Sequence, residues 1–285
     1  MNELPAPWID THAHIFEPGL PTVAGARYVP KYAAPLNRYL DVLAANGVAR
    51  GVLVQPSFLG SDNSYLLAAL ASAPAELRGV VVVSPDRVDA DLSPDRVRDL
   101  DAAGVRGVRL NLIGQPLPDL FLPEWKAAGQ SMARHGWHLE VQASGTQWSA
   151  LAAALSNWPS KIVIDHLGLP HAQNPGAIHS VLQLFGQAHV WVKVSGPYRS
   201  SPQDAADMFA RLVKAGSTDR LVFGSDWPFT RHEDQTYASI LEWGRTLAGE
   251  ELLDRMMTTN AQTLFGWVEP TSCRRAEPAL QGPCD

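Results

Sequence analysis

Eight short apolar runs, rich in β-branched residues, recur along this chain of 285 residues, and helical patterns separate most of them. The runs are almost continuously hydrophobic, which is typical of strands in a parallel sheet that is buried on both faces. They comprise residues 8–14, 51–55, 79–84, 107–111, 137–142, 161–166, 190–195 and 221–226.

The intervening segments predict helices over residues 36–46, 63–72, 95–103, 124–135, 148–157, 176–185, 202–215 and 233–247. Strands that alternate with helices in this way predict an α/β protein, a (β/α)8 barrel, with one domain over residues 1–268. A doubly wound open sheet is the alternative, and it is disfavoured because no G-x-G-x-x-G motif follows the first run. The Gly- and Pro-rich segment 17–35 predicts a loop beside an active site.

Residues 269–285 lose all periodicity and predict a flexible tail, which contains both cysteines, Cys273 and Cys284. Two cysteines confined to a tail, with no signal peptide, indicate a cytoplasmic protein. The net charge of −6 without a long basic run argues against a nucleic-acid partner. No segment approaches the length of a membrane span, so no membrane partner is expected. A homo-oligomer is left open.

Active sites of β/α barrels lie at the C-terminal ends of the strands, and polar residues collect there in this chain. His12 and His14 end the first run, and their spacing places both side chains on one face of a strand. His166 ends the sixth run and Asp226 ends the eighth. A carboxylate can activate water, and imidazoles can polarise a carbonyl or hold a metal.

Other strand ends carry residues suited to binding a small acid. Arg109 lies on the fourth run and Arg199 follows the seventh, and neither has an evident acidic partner nearby in sequence. Guanidinium forks there suit a substrate carboxylate, with a structural ion pair as the alternative for Arg109. Ser57, Asn111 and Gln142 lie at the ends of three runs and are further candidates for contacting substrate.

Lys193 and six further histidines are expected to have structural roles or to face solvent. Lys193 is expected to point outward between helices, with Ser195 facing the site. Six further histidines are expected to be solvated or to cap helices, and His232, in the loop after the last run, is the one best placed to reach the site. The six are His135, His138, His171, His179, His189 and His232.

The motifs D-T-H-A-H (10–14), G-V-L-V-Q-P-S (51–57), G-V-R-L-N (107–111), I-D-H-L-G (164–168), V-K-V-S-G (192–196) and G-S-D-W-P (224–228) resemble those of the amidohydrolase superfamily. Within it, the chain is similar over residues 8–267 to the lactonase branch that includes 2-pyrone-4,6-dicarboxylate lactonases. The resemblance implies that Asp226 is the general base. It also implies that His12, His14 and His166 polarise the scissile carbonyl, and that Arg109 and Arg199 hold a substrate carboxylate near Ser57 and Tyr28.

The chain departs from metal-dependent members of that superfamily. The fifth run ends with Gln142, or Glu140 one alternation back, where those members usually have a histidine, and the fourth run offers Arg109. Metal-independent hydrolysis without a cofactor is therefore favoured. The alternative is one divalent metal, zinc, held by His12, His14, His166 and Asp226.

The expected function is hydrolysis of a carboxylate-bearing lactone. Residues 110–118 lack the arginines of the dicarboxylate lactonases, so dicarboxylate-like, sugar-like and muconolactone-like rings all remain candidates. A metal-dependent decarboxylase of an unsaturated or aromatic acid is one alternative, and a non-catalytic barrel that binds a small acid is another. Ser57 is not expected to be a nucleophile, because it lies in no G-x-S-x-G motif.

Overall fold

A computed structural model describes residues 6–267 of the chain. Eight strands alternate with helices, as the apolar runs predicted. The strands are β1 Trp8–Ala13, β2 Val48–Val54, β3 Leu77–Val81, β4 Val105–Asn111, β5 His138–Gln142, β6 Lys161–Ile164, β7 Val190–Val194 and β8 Leu221–Phe223. The helices are α1 Leu36–Ala45, α2 Ser64–Ser72, α3 Val88–Asp91, α4 Pro94–Ala102, α5 Pro123–Arg134, α6 Gln147–Ser156, α7 Pro175–Phe185, α8 Pro202–Lys214, α9 Tyr237–Met257 and α10 Thr259–Phe265.

The sheet curls into a barrel, because its strands pair in parallel in strict chain order from β1 to β8. A parallel bridge between Ala13 and Trp227 joins the first strand to the segment after the last. The amide of His14 donates to the carbonyl of Trp227 at 2.7 Å, and the amide of Asp226 donates to the carbonyl of His12 at 2.8 Å. The (β/α)8 barrel is confirmed, and the strand order excludes a doubly wound sheet.

The barrel has an apolar core of its own inside the ring of strands. Ile9, Val52, Val163 and Val222 meet there, fully buried, and Phe265 of α10 closes the N-terminal end. Burying each such side chain stabilises the fold by roughly 1.5–3 kcal/mol. These apolar side chains fill the N-terminal end of the barrel, so a site can open at its C-terminal end.

Two strands end earlier than the sequence indicates. β6 stops at Ile164 and β8 at Phe223, although the apolar runs extend to residues 166 and 226. His166 and Asp226 have φ angles of 49° and 64°, in the left-handed region that a strand cannot contain. Such a backbone costs about 1–3 kcal/mol per residue and persists where the surroundings enforce it, often at functional sites.

The last helical region also differs from the prediction. α9 begins at Tyr237 rather than at residue 233, because Thr236 and Ser239 cap each other's backbone amides. A kink at Gly249, where φ is 71° and ψ is 163°, divides it into two helical stretches, and the second stretch and α10 were not predicted. The predicted tail and its two cysteines lie outside the described residues. Over residues 6–267, no helix is both long and apolar enough to cross a membrane.

Candidate active site

A cleft of about 230 Å³ opens at the C-terminal end of the barrel. Most of the predicted site residues line it: His14, Tyr28, Ser57, Arg109, Asn111, Gln142 and Arg199. The other three, His12, His166 and Asp226, lie buried behind its wall. His232 also lines the cleft, as expected for the loop after β8.

Asp10 fastens the segment that carries Asp226 to the end of β1. Its buried carboxylate accepts hydrogen bonds from the amide and hydroxyl of Ser225, at 2.8 and 2.6 Å, and from the hydroxyl of Tyr39 at 3.0 Å. Gly224 lets the two segments approach, since a Cβ there would lie 2.6 Å from the Cβ of His12. These contacts hold Asp226 beside the histidines.

The hydrogen bonds of His12 and His14 determine which ring nitrogens carry protons. Nδ1 of His14 must donate to the carbonyl of Val54, 2.7 Å away, because a carbonyl can only accept. Nε2 of a neutral His14 is then bare and accepts from Nε2 of His12 at 3.2 Å. Nδ1 of His12 in turn accepts from the ammonium of Lys193 at 3.1 Å. The contacts of His14 with Val54 and of His12 with Lys193 both favour this assignment, and Oδ1 of Asp165 also lies 3.4 Å from Nδ1 of His12.

The imidazoles remain neutral because they are buried. Burial lowers the pKa of His14 to about 3 and that of His166 to about 4, and the positive field of Arg109 contributes in both cases. Burial and the charge of Lys193 hold the pKa of His12 well below its ordinary value. In this arrangement His12 cannot donate directly to a substrate carbonyl, because it is fully buried and its one N–H is directed at His14.

Among His12, His14 and His166, only His166 has a ring nitrogen without a hydrogen-bond partner in the described part of the chain. Its Nδ1 lies 2.9 Å from the hydroxyl oxygen of Ser195, and its buried Nε2 has no partner among the described residues. Gly196, with φ of 54°, lets the chain pass close by, since a Cβ there would lie 3.1 Å from both His166 and Asp226.

An ionic layer lies beneath the histidines, inside the barrel. Lys193 is fully buried and donates to Glu140 as well as to His12, so the expectation that it points outward is wrong. Nε of Arg109 donates to Asp165 at 2.9 Å and lies 3.4 Å from Glu140. His138, expected to be solvated or capping, is instead fully buried, with Nε2 at 3.5 Å from Glu140.

Both predicted substrate-binding arginines have carboxylate partners that the local sequence did not reveal. Arg109 pairs with Asp165, and Arg199 pairs with Asp226 through two hydrogen bonds, from Nε to Oδ2 and from Nη2 to Oδ1. Burial alone would raise the pKa of the Asp226 carboxyl, but Arg199 and His166 hold it well below its usual range. Asp226 is therefore an ionised carboxylate at neutral pH.

Two cleft arginines were missed by the sequence analysis, because they lie on loops without periodicity. Arg27 follows β1, and Arg231 follows β8 and has a φ of 71°. Neither forms an ion pair within 4 Å with an acidic residue in the described part of the chain. Burial and the positive fields of Arg231, Arg109 and Arg199 lower the pKa of Arg27. The cleft is thus lined by four arginines and, among residues 6–267, by no carboxylate.

Among the described residues, two groups of side chains are spaced closely enough to hold a metal: His12 with His14 and Asp226, and His12 with Asp165 and His166. The position of Lys193 is unfavourable for a dication here. A ligating Nε2 of His12 would move the ring proton to Nδ1, where Oδ1 of Asp165 can accept it at 3.4 Å, but the ammonium of Lys193 lies closer to Nδ1, at 3.1 Å.

The cations of the site act in the same direction. Lys193, Arg109 and Arg199 already pair with the buried carboxylates Glu140, Asp165 and Asp226, whereas a fourth buried carboxylate, Asp10, is held by neutral donors. A metal ion would add two positive charges close to these three cations and away from water.

Comparison with known proteins places this site in a family. The amidohydrolase family model matches residues 9–267. The chain is 30% identical over 253 residues to a 2-pyrone-4,6-dicarboxylate hydrolase of Comamonas testosteroni, covering 81% of this chain and 80% of that one. It is also 30% identical over 235 residues to a 4-sulfomuconolactone hydrolase of Rhizobium radiobacter, covering 79% and 77%.

A solved structure agrees with these sequence matches. The crystal structure of a putative 2-pyrone-4,6-dicarboxylic acid hydrolase from Pseudomonas putida is 39% identical, with a TM-score of 0.82 over 94% of this chain and all of that one. With a family match over nearly the whole barrel and the expected histidines and aspartate at its open end, the chain belongs to the amidohydrolase family.

Proposed function

We propose that this protein hydrolyses a lactone that carries acidic groups. The observation that carries the proposal is a buried, ionised carboxylate, Asp226, set among histidines behind a cleft whose charged lining is entirely positive within the described residues. The two hydrolase relatives act, by name, on lactones with carboxylate or sulfonate groups, which supports an anionic ring as substrate.

In the proposed reaction Asp226 is the base. A water that donates one hydrogen to Oδ1 of Asp226 lies beside the ring of His14, whose Nε2 is 3.7 Å from that oxygen. That leaves a lone pair of the water oxygen for attack on the lactone carbonyl, with Asp226 taking the proton. The acyl–oxygen bond then breaks, and the leaving oxygen takes the proton from Asp226 to become a hydroxyl group. The new carboxylic acid releases its own proton, so the ring opens to a carboxylate and a hydroxyl group with one proton released.

The oxygen of the carbonyl needs donors as negative charge develops on it. We assign this role to His166 and Arg109. When Ser195 donates to Nδ1 of His166, the ring proton sits on Nε2, which has no other partner among the described residues. Arg109 lines the cleft and uses Nε and Nη2 for Asp165 and Gln142, which leaves Nη1 for the substrate.

The proposed function is tested by adding the purified protein to 2-pyrone-4,6-dicarboxylate, 4-sulfomuconolactone and a carboxylated sugar lactone, with proton release followed at constant pH. Ring opening of at least one of them, with one proton released per ring, is expected at neutral pH. Carbon dioxide release without ring opening would instead support the decarboxylase, and tight binding without turnover would support a non-catalytic barrel.

We propose further that hydrolysis needs no metal, because three buried cations already pair with carboxylates of the site and the ammonium of Lys193 lies against Nδ1 of His12. Protein purified and then dialysed exhaustively against a chelator should contain far less than one metal ion per chain and keep its full kcat. Added zinc should not raise the rate. Stoichiometric zinc, with activity lost on chelation and restored by zinc, would contradict this proposal.

Arg27 and Arg231 should contribute to substrate affinity. A hydrogen bond to a charged group contributes about 1.5–3 kcal/mol, so Arg27→Met and Arg231→Met should each raise KM for an acidic lactone by roughly 10-fold or more. Steady-state kinetics will show this. Arg134→Met, an exposed arginine on α5 away from the cleft, is the matched control and should leave KM unchanged.

A further inference from the structure

Arg199 stands between Asp226 and the cleft. Its side chain is 20% exposed and lines the cleft, whereas that of Asp226 is fully buried and does not. The guanidinium spans both carboxylate oxygens, and the hydroxyl of Tyr198 also donates to Oδ2 at 2.9 Å. A substrate entering the cleft therefore meets the guanidinium before it meets the base.

This pairing conflicts with the role of Asp226 as a base. A carboxylate held by a two-pronged guanidinium is strongly stabilised in its ionised form, and it accepts a proton from water poorly. Burial opposes ionisation, but Arg199 keeps the pKa of Asp226 far below the ordinary range. For the proposed reaction to proceed efficiently, Arg199 has to leave at least one carboxylate oxygen.

An incoming anion can draw Arg199 away, because it would be the one carboxylate-like group in a cleft that no other carboxylate lines within residues 6–267. Arg27 and Arg231 line the same cleft and attract an anion to it, and the charges of Arg231 and Arg199 lower the pKa of Arg27. Arg199 ends a short 3-10 turn, Pro197–Arg199, that follows β7. Its partly exposed side chain can swing toward the cleft without any movement of the strand.

We propose that Arg199 exchanges partners, from Asp226 to an acidic group of the bound lactone, and that this exchange uncovers the base. The inference rests on the proposed function. In it, the acidic group of the lactone anchors the substrate in the cleft and also displaces Arg199 from the base. Tyr198 stays on Asp226 after the exchange and keeps the carboxylate in position. Acidic lactones should then have a higher kcat than neutral ones, and not only a lower KM, because a neutral lactone leaves Arg199 paired with Asp226.

The test compares two substrates that differ only in charge. The lactone of the panel with the highest kcat/KM is paired with analogues in which each carboxylate or sulfonate in turn is replaced by the neutral amide. For the wild-type protein, kcat for the acid should exceed kcat for one of these amides by about 10²-fold, the low end of what a positioned general base contributes. In Arg199→Met the base is always uncovered, so this ratio of kcat values should fall to near one.

The outcomes separate the inference from alternatives. If Arg199 only holds the substrate, Arg199→Met raises KM for the acid and leaves the ratio of kcat values as it was, which overturns the inference. Equal kcat values for acid and amides in the wild-type protein overturn it without any variant. Arg199→Lys is the second variant, for use if Arg199→Met does not fold. Lysine keeps the charge but not the two-pronged contact with Asp226, so the ratio of kcat values for acid and amide should be smaller than in the wild type but still above one. No turnover of any lactone overturns the proposed function and this inference together.

Discussion

Asp226→Asn is expected to lower kcat by about 10²–10⁴-fold, the usual contribution of a general base, while substrate still binds. Asparagine keeps the shape of the side chain and can still accept from Arg199 and Tyr198, but it takes no proton from water. The variant also removes the anionic partner of the partly buried guanidinium of Arg199, so its fold should be checked by circular dichroism. Steady-state kinetics and binding of the lactone by calorimetry measure the two effects separately.

A matched control is available on the surface of the same molecule. Asp41→Asn changes an exposed aspartate on α1 and should leave kcat unchanged. Near-normal turnover in Asp226→Asn would show that another group activates the water, and the assignment of Asp226 would then be wrong.

The second large effect is on stability. Lys193→Met removes the cation between Glu140 and His12 and leaves a fully buried carboxylate with less compensation. Breaking a buried pair in this way typically costs about 3–5 kcal/mol of unfolding free energy. Urea denaturation should show the loss. The exposed counterpart Lys126→Met, on α5, should change the unfolding free energy by less than about 0.5 kcal/mol.

The double variant Lys193→Met with Glu140→Leu separates charge from packing. Removing both charges eliminates the uncompensated carboxylate, so much of the lost stability should return. Activity should stay low in both variants, because Lys193 no longer holds the proton of His12 on Nε2. A single variant as stable as the wild type would mean that the ion pair contributes little and that the barrel interior tolerates a lone carboxylate.

The barrel was predictable because its signal is local and repeated. Near-continuous apolar runs indicate buried parallel strands, and the alternation with helices leaves few topologies. His12 and His14 were predicted to share a face from the period of a strand alone, and their ring nitrogens do meet at 3.2 Å.

The errors arose where partners are distant in sequence. Lys193 was placed outside because strand alternation was taken to favour Ser195 on the site face, yet Glu140 on β5 and His12 on β1 make the burial of Lys193 possible. One signal was available: Lys193 and Ser195 are two residues apart, so a strand places them on the same face. The left-handed backbone of His166 and Asp226 depends on tertiary contacts, and no local sequence pattern predicts it.

The central claim is that water, activated at Asp226, opens a lactone ring. It is tested most directly by turning over the best substrate of the panel in water enriched in oxygen-18 and analysing the product by mass spectrometry. Hydrolysis at the carbonyl predicts one heavy oxygen atom in the newly formed carboxylate and none in the new hydroxyl group. A product without the label, as from ring isomerisation or loss of carbon dioxide, would contradict the account.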